Sequence, residues 1–258
     1  MPNISIQALQ KKITSGEIKL PKMILFDYGG TLLHEPGCDF PRGEREVFKH
    51  VIKNPKALTS DDISAFETAY YQSLQAVRDL HYEAHELQML KYKYEANGIE
   101  LDVSYEEAER ILWDSTSPMI PECILPHVPR LLETLHIKQL RSAVVSNIGW
   151  SGNALRRRID TLLPDNPFEF IIASSEYGVR KPDRRIFELA LNKAQLAPED
   201  AWFCGDWFEM DIIGAHSAGI YPIYYQGESQ TLKREPKEVN ADFDYTTIYD
   251  WSDFIDIF

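Results

Sequence analysis

The sequence predicts an α/β protein, a doubly wound parallel sheet with an inserted α-helical module, and three observations carry that prediction. From Pro126 onward short apolar runs alternate with helical segments, an alternation that implies parallel strands joined by crossover helices. Near the N-terminus the stretch "ILFDYGGTLLHE" reads as a buried strand that stops on Asp27 and turns through Gly29 and Gly30. Between that strand and Pro126, residues 42 to 118 offer helical spacing and no buried-strand pattern.

Taken in order, Ile6, Leu9 and Ile13 recur at helical spacing between Ser5 and Gly16, which predicts a short leading helix with a packing role. The first strand follows, ending at Asp27. Behind "TSDD", Ile63, Phe66, Tyr70, Leu74, Val77 and Leu80 recur at threes and fours, a long capped amphipathic helix. Leu87, Leu90 and Tyr94 continue the pattern to a stop at Asn97 and Gly98, and "SYEEAERILWDS" opens with a capping box from Ser104 to Glu107. Then come "SAVVSN", the helix "ALRRRIDTLL", "FEFIIAS", "RRIFELALNKA", "AWFCGD", "MDIIGAHSAG" and "IYPIYY". The segment "GESQTLKREPKEVNADFDY" reads as a surface connection to a last short strand and helix. The expected division is a core from residues 1–36 and 119–258, with the helical module at 37–118.

Composition bounds the function. With 258 residues, 44% of them hydrophobic, the chain can bury a full core. A net charge of −13 disfavours nucleic acid and anionic lipid as partners, since both require a positive field. An anionic ligand would need local cations. The three cysteines, Cys38, Cys123 and Cys204, show no CxxC spacing, so they read as thiols in a reducing compartment. No apolar run has the length of a membrane span and the N-terminus does not read as a signal peptide, so a cytoplasmic protein is expected. No pattern bears on oligomeric state.

In a parallel sheet the strand ends share one edge, where ligands bind. The predicted ends are Asp27, then Ser146 and Asn147, then Asp206 with Asp211 five residues later, while Lys181 precedes Pro182 on a loop entering a helix. Singly, each has an ordinary reading: a cap, a turn, a solvated lysine, an acidic helix start favoured by the helix dipole. Together they form a set with a chemical logic. Two or three carboxylates can hold a hard divalent cation such as Mg2+, and a lysine with a hydroxyl can grip phosphate oxygens.

With its four segments in this order, "ILFDYGGTL", "VVSN", "RKP" and "GDWFEMD", the chain resembles the haloacid dehalogenase-like hydrolase superfamily, subfamily I, most of whose members are Mg2+-dependent phosphatases. The helical module resembles their C1-type cap. The resemblance implies that Asp27 attacks phosphorus and forms an aspartyl-phosphate, with Lys181 and Ser146 completing the catalytic set. It implies Mg2+ on Asp27, the Gly29 carbonyl and Asp206, with Asp211 either binding the metal's water or orienting Lys181, and phosphate on Ser146, Asn147, Lys181 and the turn amides from Gly29 through Gly30 to Thr31. The substrate it implies is a small phosphorylated metabolite.

Gly29 is the main departure. Phosphatases of this group carry a second Asp two places after the nucleophile, a proton donor and later a base. Such a group contributes about a hundredfold to ten-thousandfold in rate. Trp207 is a second departure. Three readings stay open: a phosphatase in which His34, Glu35, a cap residue or water moves the proton; a phosphonate-cleaving enzyme using a cap lysine, with Lys49, Lys53, Lys91 and Lys93 available; and a protein that binds a phosphorylated ligand without turnover. The dehalogenase relatives also lack that Asp but need no metal, so Asp206 and Asp211 argue against them. Arg156, Arg157 and Arg158 read as a solvated helix face. His81, Tyr82, His85, Tyr92 and Tyr94 read mainly as packing in the module.

Overall fold

A computed structural model describes residues 3–227 and 241–258. Its strands are β1 (Asn3–Ile4), β2 (Met23–Phe26), β3 (Val51–Lys53), β4 (Glu100–Leu101), β5 (Arg141–Ser146), β6 (Phe168–Ala173), β7 (Ala201–Gly205), β8 (Tyr221–Tyr225) and β9 (Tyr245–Ile248). Seven of them form one sheet in the order β1-β9-β8-β7-β2-β5-β6, every neighbouring pair parallel. The chain leaves β2, builds outward through β5 and β6, then returns to the other side of β2 to lay down β7, β8 and β9. That reversal opens a crevice at the carboxyl end of β2.

The helices are α1 (Ile6–Ser15), α2 (Phe40–Phe48), α3 (Ser60–Ser73), α4 (Gln75–Asp79), α5 (Glu86–Glu95), α6 (Tyr105–Thr116), α7 (Val128–Ile137), α8 (Gly152–Leu162), α9 (Ser174–Tyr177), α10 (Arg184–Ala194), α11 (Gly214–Ser217) and α12 (Trp251–Ile255). Successive residues of a strand point to opposite faces, and both faces of β2 are covered. Met23 and Leu25 belong to one apolar cluster with Ile186, Phe187 and Ala215, whereas Ile24 and Phe26 belong to another with Leu131, Leu155 and Trp251. Burial on both sides is why β2 reads as a continuous apolar run.

Several expectations are met in detail. Ser5 accepts from the Ala8 amide to start α1, and Gly16 ends it in the left-handed conformation at φ 79°. Thr59 and Asp62 form a reciprocal capping box on α3. Others are corrected. The long helix predicted through Leu80 is two segments, α3 and α4, meeting at Leu74. The interval expected to be wholly helical contains an antiparallel ribbon of β3 and β4. Its residues are largely solvated, so no apolar pattern marks them. β1, two residues beside β9, is too short to show a period. Residues Phe208–Ile213, read as the start of a helix, form a π-helical turn. The predicted surface connection after "IYPIYY" lies largely outside the described residues.

Candidate active site

Three strand ends meet at the crevice. Asp27 follows β2 and its amide donates to the Cys204 carbonyl of β7 at 2.8 Å, which fixes the acid beside the neighbouring strand. Ser146 ends β5 and is 3% exposed. Asp206 follows β7, and the π-helical turn carries Asp211 back so that its Oδ2 accepts from the Trp207 amide at 2.9 Å. One ligand oxygen each from Asp27, Asp206 and Asp211 lies within 4.8 Å of the others. Lys181, 1% exposed, reaches in from the loop before α10. Its Nζ sits 2.7 Å from Asp27 Oδ1 and 2.6 Å from Asp211 Oδ1.

Two glycines permit this approach. A side chain at Gly30, whose φ is +81°, would overlap the Asp206 carboxylate, and one at Gly205 would overlap that of Asp211. Glycine is the residue that combines the first backbone conformation with so close a neighbour. The electrostatics follow from burial. Desolvation pushes the Asp211 carboxyl up to about 6, opposed by the Lys181 ammonium and reinforced by Asp27. Burial alone would lower the Lys181 pKa, but Asp211 and Asp27 outweigh it and raise it, so the ammonium keeps its charge.

The residues bordering the resulting cavity, of about 350 Å³, include Asp27, Gly29, Ser146, Asn147, Lys181, Trp207 and Asp211. Of the groups expected to grip phosphate, the Gly30 amide needs correction. The Gly30 amide donates to the Leu33 carbonyl at 2.8 Å and is engaged; among the described residues the amides of Tyr28 and Gly29 carry no such bond. The Thr31 side chain is buried, with Oγ1 3.5 Å from Asp206 Oδ1. Asn147 uses both ends of its amide on Lys181: Nδ2 donates to the lysine carbonyl at 2.9 Å and Oδ1 accepts from its amide at 2.7 Å. It is a clamp on Lys181 that uses one of the two hydrogens on Nδ2.

The four lysines considered for a Schiff base lie elsewhere. Lys93 is buried and ion-paired at 2.6 Å to both Glu44 and Glu67, and these carboxylates overcome desolvation to raise its pKa. Lys49, Lys53 and Lys91 are exposed beside Glu46, Glu100 and Glu95. A Schiff-base lysine needs a lowered pKa beside its substrate. His34 and Glu35 do border the cavity, although His34 Nε2 is hydrogen-bonded to the Glu122 carbonyl.

Sequence reasoning missed Arg158. It is buried, donating from Nε to the Tyr28 hydroxyl at 3.0 Å and from its two terminal nitrogens to Ser117 O and Oγ at 2.7 and 2.8 Å. Glu35 Oε1 accepts from Tyr28 and from the Trp113 indole. One guanidinium thereby ties the loop after β2 to the segments that enter and leave α2 to α6, through Glu35 at 3.6 Å and through Ser117. The helical period contained the signal: Arg158 shares its face with Leu155 and Leu162, three residues before and four after. Arg156 and Arg157 are the surface pairs expected, with Asp160 and Asp114.

The model of the haloacid dehalogenase-like hydrolases matches residues 21–219. The chain belongs to that family. A glyceraldehyde 3-phosphate phosphatase of Pyrococcus furiosus is 27% identical over 230 residues, covering 88% of this chain and 90% of its own length. One of the same name from Methanothermobacter thermautotrophicus is 32% identical over 134 residues, 51% of this chain and 57% of its own. The crystal structure of a HAD phosphatase from Thermococcus onnurineus superposes with a TM-score of 0.56 at 17% identity, covering 91% of this chain and 96% of that one, a likeness of fold. This haloacid dehalogenase-like hydrolase is therefore an enzyme by family. Among its described residues no helix is long and apolar enough to cross a membrane.

Proposed function

We propose that this hydrolase is an Mg2+-dependent phosphatase of a small phosphorylated metabolite, with Asp27 as nucleophile. The observation that carries the reading is the position of Lys181 Nζ between Asp27 and Asp211, with Asp206 completing an oxygen cluster. Three carboxylates repel a phosphate unless cations offset them, and Lys181 supplies one. Hard oxygen donors at this spacing suit Mg2+. Asp27, Asp206, Asp211 and the Gly29 carbonyl would hold it, where it supplies charge neutralisation and orientation for the phosphoryl group.

Asp27 attacks phosphorus in line: a bond forms from its carboxylate oxygen to phosphorus as the ester oxygen leaves. Lys181 and Ser146, with the amides of Tyr28 and Gly29, hold the equatorial oxygens in the transition state. Water then attacks the phosphoryl group, releasing inorganic phosphate and restoring Asp27. Gly29 provides no proton for the departing oxygen, so the enzyme favours leaving groups that need none or takes the proton through solvent. Residues 37–118 act as a C1-type cap. The Tyr82–Val179 bridge and the bond from the Glu86 amide to Gly149 O at 2.7 Å, which tie this segment to the core, support that reading.

The test is phosphate release by the purified protein from a panel of phosphorylated metabolites. Release should require Mg2+ and disappear on chelation and in Asp27→Asn. Ligand binding without release would identify a binding protein instead, and activity retained in Asp27→Asn would reject the mechanism.

A further inference from the structure

A second cavity, of about 650 Å³, adjoins the first and shares Asn147, Ile148 and Trp150 with it. Its far wall comes from α3 and α5. There Glu86, 2% exposed, accepts from the Tyr71 hydroxyl through Oε2. Its Oε1 is buried and has no hydrogen-bond partner, and Ser64 Oγ on the same lining is likewise unmatched. A buried carboxylate oxygen without a partner costs about 1–3 kcal/mol, so its retention calls for a ligand.

The surroundings specify which ligand. Glu44, Glu67 and Glu86 are all buried in this region, and Lys93 is shared between the first two. Arg78 also lines the cavity, but Glu83 holds it at 3.1 Å. Lys93 also acts on Glu86 from across the cluster, but it is bonded to Glu44 and Glu67, and among the described residues no cation is bonded to Glu86 itself. In the same lining the Arg78 guanidinium already lies over the Tyr71 ring and Trp150 stacks with Phe40 and Trp113, so it is the surplus of buried carboxylates that favours a cation over a neutral hydroxyl here.

Resting on the phosphatase reading above, we propose that this cavity receives the substrate's leaving group and binds a cationic nitrogen on it, with Glu86 as the counter-charge. The substrate class is then an amino-bearing phosphate monoester. The two places are linked through the backbone: the Glu86 amide is bonded to Gly149 O, and Gly149 stands three residues beyond Ser146, at most about 11 Å along the chain.

The experiment titrates ω-aminoalkylphosphonates into the Mg2+-loaded protein by calorimetry, beside hydroxyalkyl- and alkylphosphonates of matched length. At the length that fits, the ammonium ligand should bind at least about tenfold more tightly than either homologue, as expected of a desolvated, hydrogen-bonded charge pair. In Glu86→Gln that ratio should fall to near one. Equal binding of the three series at every length overturns the proposal, as does a preference that survives in a folded Glu86→Gln protein; if that variant fails to fold, the wild-type series decides alone. Phosphate release from the matching esters is measured in parallel. Release without ammonium preference defeats this inference and leaves the phosphatase, whereas ammonium preference without release supports the cavity assignment and defeats the phosphatase.

Discussion

Under the proposed mechanism Gly29 stands where a general acid would serve, and its backbone would accept one. Its φ lies outside the left-handed region, and a Cβ built there meets nothing within 4 Å. Gly29→Asp should therefore fold with thermal stability close to wild type. A proton delivered to an alkoxide is worth more than one delivered to a nitrophenolate, so turnover should rise more for an alkyl than an aryl phosphate, by up to the hundredfold or greater range of general acids. Steady-state rates on the two substrate types check this. Gly30 is the opposite case: Gly30→Ala places a methyl against the Asp206 carboxylate at a φ of +81°. The expected result is a lower melting temperature and weaker Mg2+ binding. At Glu86, desolvation, with Glu67 adding repulsion, pushes the pKa from 4.5 up to about 8. With no cation beside it the native carboxyl then holds a proton that the unfolded chain releases, and a bound ammonium would displace that proton; in the free protein this group favours folding least at high pH. Glu86→Gln should be more stable than wild type near pH 8, by about 1–3 kcal/mol, with the difference shrinking toward pH 4 in denaturant titrations. The acids and Lys181 were legible in the sequence because strand ends and motif order expose them. The engaged Gly30 amide and the Asn147 clamp were not, since both depend on where a turn directs its hydrogen bonds.

Among the elements, the strands with buried faces were legible from apolar runs, and the capped helices from their first turns. The β3–β4 ribbon and β1 escaped because two or three residues carry no period and pairing between distant segments leaves no local mark. Helix α8 shows the reverse situation, in which the pattern was present and overridden by composition: three successive arginines read as surface, yet one lies on the apolar face. Arg158→Ala would leave the Tyr28 hydroxyl and the Ser117 oxygens buried without their donor. The expected destabilisation is about 3–5 kcal/mol in urea unfolding. Arg156→Ala, at an exposed pair, should change stability by less than about 1 kcal/mol.

Across the whole molecule, α2 to α6 rest on the core through an aromatic stack as well as hydrogen bonds. Trp150 lies 4.8 Å from Trp113 and 6.4 Å from Phe40, nearly parallel to both. That packing was hidden in the sequence, where the three residues stand far apart. The charge balance was visible from composition alone. A chain of net charge −13 repels a phosphate dianion at long range, and Lys181 acts only close in. Raising ionic strength from low values should therefore increase kcat/KM, because salt screens the approach more than it weakens a buried pair.

The central claim is that Asp27 becomes phosphorylated. Its most direct test is to mix enzyme, Mg2+ and a turned-over substrate, quench in acid within a single turnover, and map phosphate on the digested protein by mass spectrometry. Phosphate on the peptide containing Asp27, removed by hydroxylamine and absent from the Asp27→Asn protein, is the result this account predicts. Single-turnover product formation with no phosphorylated peptide at any quench time, or phosphate on a different residue, would contradict it.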